Sequence, residues 1–179
     1  QDMVPVVLVG HSMGGAISQW LAVHHPDMLR ALVLVATGAR LRVSAQIFQA
    51  LECEYEKAVD FMLQFSFGPE APAELLQDVK RLRLRVPVEV VRGDYQACDG
   101  FEIMDRIKEI SVPTLIICGI EDKMTPIKYA QFLQAHIAGS QLEPIPGAGH
   151  NVMLEKPVEF NRALERFLNS LEQEGYDPQ

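Results

Sequence analysis

The chain has 179 residues, 48% of them hydrophobic, and a formal net charge of −8 at pH 7. Such a composition is typical of one globular domain, or of one domain with a small insertion, that is large enough to bury a core. Nucleic acids and anionic membrane surfaces bind positively charged patches, whereas acidic residues outnumber basic ones here, 24 to 16. No apolar run reaches the roughly 18 residues that a membrane-spanning helix needs. We therefore expect neither nucleic-acid nor membrane partners, and the composition leaves the oligomeric state open.

Cysteine usage argues against both a disulfide framework and a zinc site. The three cysteines, Cys53, Cys98 and Cys118, are irregularly spaced, with no Cys-x-x-Cys pair and no Cys/His ligand spacing. Cys118 lies in an apolar run and is predicted to be buried. A reducing compartment such as the cytoplasm fits these cysteines best. The first residues also lack the basic start and the cleavage site of a signal peptide. A signal sequence upstream of Gln1 is left open.

The first 40 residues have the strand–helix–strand pattern of a parallel sheet. A β-branched run predicts a strand over Val4–Val9. Apolar residues three and four positions apart predict a helix over Met13–His25, which stops before Pro26. A second apolar run predicts a buried strand over Ala31–Ala36.

Between residues 41 and 110 this alternation stops and only helical patterns remain. The predicted helices are Ser44–Leu51, Glu54–Phe65, Ala73–Leu84 and Phe101–Ile110. A helical block inserted between two strands of a sheet is typical of a lid or cap. Its large apolar side chains are expected to line or cover a pocket, although most of them would serve as ordinary packing residues; they are Phe48, Phe61, Met62, Phe65 and Phe67.

The alternation of strands and helices resumes at Pro113. Strands are predicted over Thr114–Cys118 and Gln141–Ile145, and helices over Pro126–His136 and Pro157–Leu171. The polar tail, Glu172–Gln179, is predicted to be frayed. The sequence thus predicts an α/β fold with a mostly parallel sheet, built from residues 1–40 and 111–179, and a helical cap over residues 41–110.

The segment Gly10-His11-Ser12-Met13-Gly14 has the form G-x-S-x-G and lies where the first strand ends and the first helix begins. In that context the motif places a serine at the tip of a sharp, strained turn, where bulky residues two positions away would collide. Glycine on both sides of the motif is expected to prevent that collision. The turn exposes the Ser12 hydroxyl and directs the Met13 backbone N–H, at the helix N-terminus, toward a developing oxyanion.

A serine hydroxyl needs a base, most often a histidine that a carboxylate orients. Among the five histidines, His11 is expected to point away from the neighbouring Ser12. Three others end predicted helices, where interaction with the helix dipole explains them: His24, His25 and His136. His150 differs, because it follows the last predicted strand in a glycine-containing loop, Gly147-Ala148-Gly149-His150-Asn151. Active sites of parallel sheets form at the carboxyl ends of strands, so His150 is the predicted base.

The carboxylate is expected after the strand Thr114–Cys118, again at a carboxyl end. Two neighbours, Glu121 and Asp122, follow that strand. Capping of the next helix is an alternative role for Asp122. The loop after the second strand, Thr37-Gly38-Ala39-Arg40, contains no carboxylate. The residues alone leave the choice between Glu121 and Asp122 open.

Three parts of the chain resemble the α/β-hydrolase superfamily. They are Val7-Leu8-Val9-Gly10-His11-Ser12-Met13-Gly14-Gly15, Val112-Pro113-Thr114-Leu115 with Gly119-Ile120-Glu121-Asp122, and Gly147-Ala148-Gly149-His150 with Leu154-Glu155-Lys156-Pro157. They look most like small esterases, lactonases and carbon–carbon bond hydrolases, over essentially the whole chain except the helical block. The resemblance implies Ser12 as nucleophile, His150 as base and Asp122 as its acidic partner, in the chain order of this class. It implies no metal and no organic cofactor.

The activity that this resemblance implies is hydrolysis of a small ester, lactone or related acyl substrate through an acyl-enzyme intermediate on Ser12. A cofactor-free haloperoxidase or an acyltransferase would use the same three residues, and the sequence does not separate these reactions. A third alternative is a non-catalytic binding protein on the same fold. The intact set of three residues argues against it, whereas the short region before Ser12 argues for it.

The serine motif begins at residue 10, whereas the resembled family has several strands before it. About four strands, two helices and their loops, on the order of 75 residues at usual element lengths, would precede it. That part carries the family's second oxyanion donor, often a His-Gly pair, and no such pair precedes Ser12. We therefore expect a fragment of a longer enzyme, whose first strand is open on one side and which folds poorly and is weakly active in isolation.

Overall fold

The computed structural model describes residues 5–173, and their strands form one parallel sheet. The strands are β1 (Val6–His11), β2 (Leu29–Val35), β3 (Thr114–Gly119) and β4 (Gln141–Ile145), in the order β1-β2-β3-β4. All three pairings are parallel. The predicted α/β class and its four strands are therefore confirmed, except that Val4, in the predicted first strand, lies outside the described residues.

Helices cover both faces of this sheet and fill the connection between β2 and β3. They are α1 (Met13–His24), α2 (Ala45–Cys53), α3 (Tyr55–Ser66), α4 (Ala73–Arg83), α5 (Val88–Gly100), α6 (Ile127–His136), α7 (Val152–Glu155) and α8 (Pro157–Gln173). The last helix takes in Glu172 and Gln173, which were predicted to be frayed, and the rest of the tail lies outside the described residues. None of these helices is long and apolar enough to cross a bilayer.

Strands β2 and β3 are buried on both faces, which explains their uninterrupted apolar sequences. Successive side chains of a strand point to opposite faces, so each strand contributes to two separate cores. The core that α1 and α6 cover contains Leu32, Leu34, Ile116 and Cys118. The core that α8 covers contains Ala31, Val33, Val35, Leu115 and Ile117. Because all three strand pairings are parallel, the carboxyl ends of the four strands lie at one rim of the sheet.

The four helices between β2 and β3 have a core of their own. It is built from buried residues of α2 and α3 and the residue after α3: Leu51, Ala58, Val59, Met62, Leu63 and Phe67. Helices α4 and α5 contribute only half-buried side chains to this core, and no residue of either helix is fully buried. Residues 45–100 are therefore a helical segment that packs largely on itself, with α4 and α5 as its looser half.

One predicted helix of this region is wrong, and one helix was not predicted. Phe101–Ile110 forms no helix beyond a single 3₁₀ turn at Ile107–Glu109, because Glu102 forms an antiparallel bridge with Arg40 instead. The helix lies earlier, at α5, and begins directly after Pro87. A proline fits a helix start, since its missing N–H would have no helical acceptor there.

The outer edge of β1 carries apolar side chains that are half exposed. Val6 and Val9 are 48% and 49% exposed, and Ile17 and Trp20 of α1 are 60% and 49% exposed. Within residues 5–173, β1 pairs only with β2. The open edge agrees with the expectation from the sequence. An apolar strand with such an edge can associate with another strand.

The core under α8 provides a test of the fold. Phe167 is only 2% exposed, so Phe167→Ala removes its packing against the sheet and leaves a cavity. We expect this variant to lose about 3–5 kcal/mol of unfolding free energy, measured by urea denaturation. Val158 on the same helix is 55% exposed, and Val158→Ala should change the free energy by about 0.5 kcal/mol or less. Equal losses in the two variants would contradict the observed orientation of α8.

Candidate active site

Ser12 occupies the turn between β1 and α1 in a strained backbone conformation. Its φ is 52° and its ψ is −116°, a region that residues other than glycine rarely adopt. The Ser12 N–H donates to the Val35 carbonyl at 2.9 Å, and the Thr37 hydroxyl donates to the Ser12 carbonyl at 2.8 Å. The end of β2 therefore holds the turn in place, and the serine lies where the sequence predicts a sharp strand-to-helix turn.

The two glycines of the motif do not have the same role. A Cβ at Gly10 would lie 2.4 Å from Ser18 Oγ and 2.5 Å from the Gly14 carbonyl oxygen, so only glycine fits there. A Cβ at Gly14 would meet no described atom from outside its own helix within 4 Å. The expected collision is therefore confirmed at Gly10 and wrong at Gly14, because Gly14 faces an open cavity at the start of α1 rather than the turn.

His150 and Asp122 form a buried pair at the carboxyl ends of β4 and β3. His150 Nδ1 lies 2.8 Å from Asp122 Oδ2, and the two side chains are 4% and 0% exposed. With the Nδ1 proton donated to the carboxylate, Nε2 is the nitrogen left to accept a proton. Glu121, the neighbouring alternative, is exposed.

The Asp122 carboxylate is fully supplied with hydrogen-bond donors. Its Oδ1 accepts from the backbone N–H groups of Met124 at 2.8 Å and Thr125 at 2.9 Å, and its Oδ2 accepts from the Thr125 hydroxyl at 2.7 Å. Burial works to raise the pKa of Asp122, but the contacts with His150 and Thr125 outweigh it and lower that pKa. The capping role and the role as partner of His150 are thus compatible, and the carboxyl stays ionised beside the imidazole.

The end of α3 holds the backbone around His150. The carbonyl oxygen of Ser66 accepts hydrogen bonds from the His150 N–H at 3.1 Å and the Asn151 N–H at 3.3 Å. The Asn151 side-chain amide donates to the same oxygen at 2.9 Å. Three donors on one carbonyl fix the loop that carries His150 to the helical segment.

A carboxylate links the same two regions from the other side. Glu155 Oε2 accepts from the Gly68 N–H at 2.7 Å, and both its carboxylate oxygens lie 3.0 Å from the Gly149 nitrogen. Gly68 follows α3, and Gly149 precedes His150. Glu155 therefore positions the residue next to His150 through main-chain contacts and needs no contact with a substrate.

His11 lies beside the pair and does not point away from the site as expected. Its ring centroid is 4.9 Å from that of His150, and its Nε2–H donates to the His150 carbonyl at 2.8 Å. Gly10 and His11 are successive residues of β1, so their side positions lie on opposite faces of the sheet. At the end of the strand, the face of His11 borders the cavity that Ser12 also lines. Burial, followed by the nearby His150, lowers the pKa of His11 to about 4, so the ring is neutral at pH 7.

Ser12 and His150 line one cavity of about 350 Å³. Met13, at the first position of α1, lines it too, and a backbone N–H at that position has no acceptor within the helix. The helical segment supplies the opposite wall: Tyr55, Val59, Met62, Arg83, Val91 and Tyr95. The structure thus brings Ser12, Met13, Asp122 and His150 to the same rim of the sheet.

Among the apolar residues expected to face the pocket, only Met62 lines this cavity. Phe61 and Phe65 line a separate cavity, and Phe67 belongs to the core of the helical segment, whereas Phe48 lines neither.

Within the described part of the chain, no group of three or more His, Cys, Asp or Glu side chains could hold a metal ion.

The sequence analysis did not identify several residues of the candidate site. Thr125, Ser66 and Glu155 act through hydrogen bonds to the pair or its loop, and Arg83 faces the cavity from α4. Glu155 gave a signal, since it belongs to a segment that resembles the hydrolase superfamily. The others gave none, because their roles depend on how the helical segment packs on the sheet.

Comparison with known proteins identifies the family of the chain. The family model described as "Alpha/beta hydrolase family" matches residues 2–163. The chain belongs to the α/β-hydrolase family. A solved structure described as a thermophilic esterase is 47% identical, with a TM-score of 0.86, and the match covers 93% of this chain and 67% of that chain.

Two curated α/β-hydrolase relatives are more distant. The 3-oxoadipate enol-lactonase 2 of Acinetobacter baylyi is 30% identical over 164 residues, which are 87% of this chain and 61% of that protein. The monoacylglycerol lipase ABHD6 of Homo sapiens is 28% identical over 187 residues, which cover 93% of this chain and 56% of that protein. The chain therefore spans less than two thirds of the length of these relatives.

The contrast between the motif glycines can be tested by substitution. Gly10→Ala forces the strand end away from α1, and overpacking of this kind costs about 1–3 kcal/mol of unfolding free energy. Gly14→Ala, the matched control, places a methyl group in open space on a helix and should gain about 0.5–1 kcal/mol. Urea denaturation of both variants measures the difference, and a similar loss in both would contradict the geometry of the turn.

Burial of a neutral His11 makes stability depend on pH. The unfolded chain binds a proton at His11 near the ordinary pKa of 6.5, whereas the folded protein binds it only near 4. The unfolding free energy should therefore be highest above pH 6.5 and fall toward pH 4, with a slope of at most about 1.4 kcal/mol per pH unit from this residue. Asp122 adds its own loss only below its ordinary value of 3.8.

Urea denaturation of His11→Gln across pH 4–7 checks this assignment. Glutamine keeps a side-chain donor for the His150 carbonyl but does not titrate. The variant should therefore show a flatter pH dependence than the unmodified protein. Identical slopes in the two proteins would show that His11 is not the group responsible.

Proposed function

We propose that this protein is a serine hydrolase of small esters or lactones, with Ser12 as nucleophile, His150 as base and Asp122 as its acidic partner. The observation that carries the proposal is the buried His150–Asp122 pair, 2.8 Å apart, opening onto the cavity that the strained Ser12 also lines. A hydroxyl, an imidazole and an ionised carboxylate in this order are the components of acyl transfer through a covalent intermediate.

The reaction follows from the positions of these groups. Ser12 Oγ attacks the substrate carbonyl carbon while His150 Nε2 takes the hydroxyl proton. His150 then gives this proton to the leaving oxygen, and the acyl group stays on Ser12. Water enters, loses a proton to Nε2 and attacks the acyl carbon. The Ser12 Oγ–acyl bond then breaks, and Nε2 returns the proton to Oγ, which releases the acid and restores Ser12 and His150. Asp122 holds the Nδ1 proton throughout and stabilises the imidazolium.

The negative charge on the carbonyl oxygen falls next to the N-terminus of α1. The Met13 backbone N–H at this end is the donor that we assign to the oxyanion. A helix N-terminus carries partial positive charge, which favours the same site for an anion. His11 is neutral at pH 7 and therefore adds no positive charge beside His150.

The helical segment over residues 45–100 is the proposed cap, within the boundaries 41–110 expected from the sequence. Its side chains form one wall of the cavity, and its α3 end is bonded to the His150 loop. Apolar residues such as Val59, Met62 and Val91 suit a substrate with a hydrocarbon portion. The names of similar proteins, a lactonase and an esterase, support esters and lactones as the substrate class.

Labelling with a fluorophosphonate probe tests the nucleophile directly. The probe should react with the purified protein and not with Ser12→Ala, since phosphonylation requires an activated serine hydroxyl. Ser18→Ala is the matched control, because Ser18 is buried and bonded to the Gly14 carbonyl and should not affect labelling. Labelling that persists in Ser12→Ala would contradict the assignment.

Hydrolysis rates test the pair. Loss of a base or nucleophile in such a set lowers kcat by roughly 10⁴–10⁶, and an Asp→Asn change lowers it by about 10⁴. We therefore expect His150→Ala and Asp122→Asn to lower hydrolysis of 4-nitrophenyl acetate by at least about 10³ while keeping the fold seen by circular dichroism. Glu121→Gln, one residue away and exposed, should stay within about threefold.

A further inference from the structure

Arg83 is a cation inside the candidate active-site cavity. It is the last residue of α4, yet it lines the same cavity as Ser12 and His150. Other basic residues of this turn bind carboxylates at the surface: Arg81 pairs with Asp78, and Lys80 pairs with Asp60 and Glu56. Arg83 differs from them because it lines the cavity that Ser12 and His150 share.

The guanidinium of Arg83 is poorly supplied with acceptors. Its Nη2 donates to Ser66 Oγ at 3.3 Å, a long hydrogen bond, and its Nη1 is buried with no partner among residues 5–173. Within the same range, no carboxylate oxygen lies within 4.0 Å of it, although Asp94 lines the cavity. Burial of the guanidinium lowers the pKa of Arg83. A half-buried cation without a carboxylate partner is electrostatically unbalanced, so an anionic group placed beside it would be stabilised.

The surroundings hold Arg83 in place for such an anion. The Tyr55 hydroxyl donates to the Arg83 backbone carbonyl at 2.8 Å, which fixes the end of α4. Ser66, which contacts Nη2, is the residue whose carbonyl binds the His150 loop. Arg83 is therefore linked through Ser66 to the loop of His150. The charge of Arg83 also contributes to lowering the pKa of His11. Its position relative to the reacting groups is set before any substrate arrives.

We propose that Arg83 binds a carboxylate carried by the substrate, so that the preferred substrates are half-esters of dicarboxylic acids or carboxylate-bearing lactones. A guanidinium offers two parallel N–H groups that match a carboxylate. Apolar side chains of the same cavity, including Val59 and Met62, suit the methylene chain between the two polar ends. This inference rests on the proposed function, since Ser12 has to attack the ester end of the same molecule.

The kinetic test compares two esters that differ only at the far end. Monomethyl adipate carries a carboxylate where methyl hexanoate carries a methyl group. Hydrogen bonds to charged groups are worth roughly a tenfold to hundredfold change in an equilibrium. We expect the protein to prefer monomethyl adipate and Arg83→Met to lower kcat/KM for it about 10–100-fold more than for methyl hexanoate. Release of acid is followed by titration at constant pH.

Two further variants separate the charge of Arg83 from a general effect on α4. Arg81→Met removes an exposed arginine of the same turn and should leave both esters unaffected. Arg83→Lys keeps the charge without the planar pair of donors and should restore part of the preference. Equal losses on both esters in Arg83→Met, or equal rates on both esters in the unmodified protein, would overturn the proposal.

A binding measurement distinguishes failure of this inference from failure of the proposed function. In the Ser12→Ala background, which removes the nucleophile, adipate should raise Tm, and Arg83→Met should abolish that rise. Fluorophosphonate labelling of Ser12 without any adipate effect would overturn the carboxylate site and leave the hydrolase proposal standing. An adipate effect that depends on Arg83, without labelling of Ser12, would overturn the hydrolase and retain the anion site.

Discussion

The bond between His150 and Asp122 is the interaction on which the site depends. It joins two loops at the ends of β3 and β4, and both partners are removed from water. A buried carboxylate is tolerated here because the Thr125 hydroxyl and two backbone N–H groups share its charge. The imidazole is thereby oriented with one nitrogen toward the cavity. The arrangement of the sheet matters to function mainly because it brings these two loops together.

The helical segment contributes to this arrangement as well as covering it. Ser66, the last residue of α3, binds the loop of His150 through its main-chain carbonyl, and the Gly68 N–H donates to the Glu155 carboxylate. Glu155 also accepts from the Gly149 N–H and thereby connects the helical segment with the loop. Positioning of His150 is therefore shared between residues that are far apart in sequence. Substitutions in the segment can affect the proposed reaction without touching a substrate.

Much of the fold and the central residues of the site could be predicted from the sequence, because they follow from local rules. The strands β2 and β3 are uninterrupted apolar runs, and the glycine-flanked serine lies at a strand-to-helix turn. The helix α5 was missed because Gly93 weakens its pattern and its apolar side chains are only half buried. The directions of His11 and Arg83 could not be predicted, since they depend on tertiary packing between distant elements.

The three hydrogen bonds on the Ser66 carbonyl also decide which part of the cavity wall can act as a gate. If α3 swung outward, it would pull the loop of His150 with it and misalign the base. Helices α4 and α5, which bury no residue completely, can separate from the molecule at a lower cost. Entry to the cavity is therefore expected by hinging of these two helices over a stationary α3. Arg83, whose carbonyl accepts from Tyr55 of α3, would stay with the stationary part.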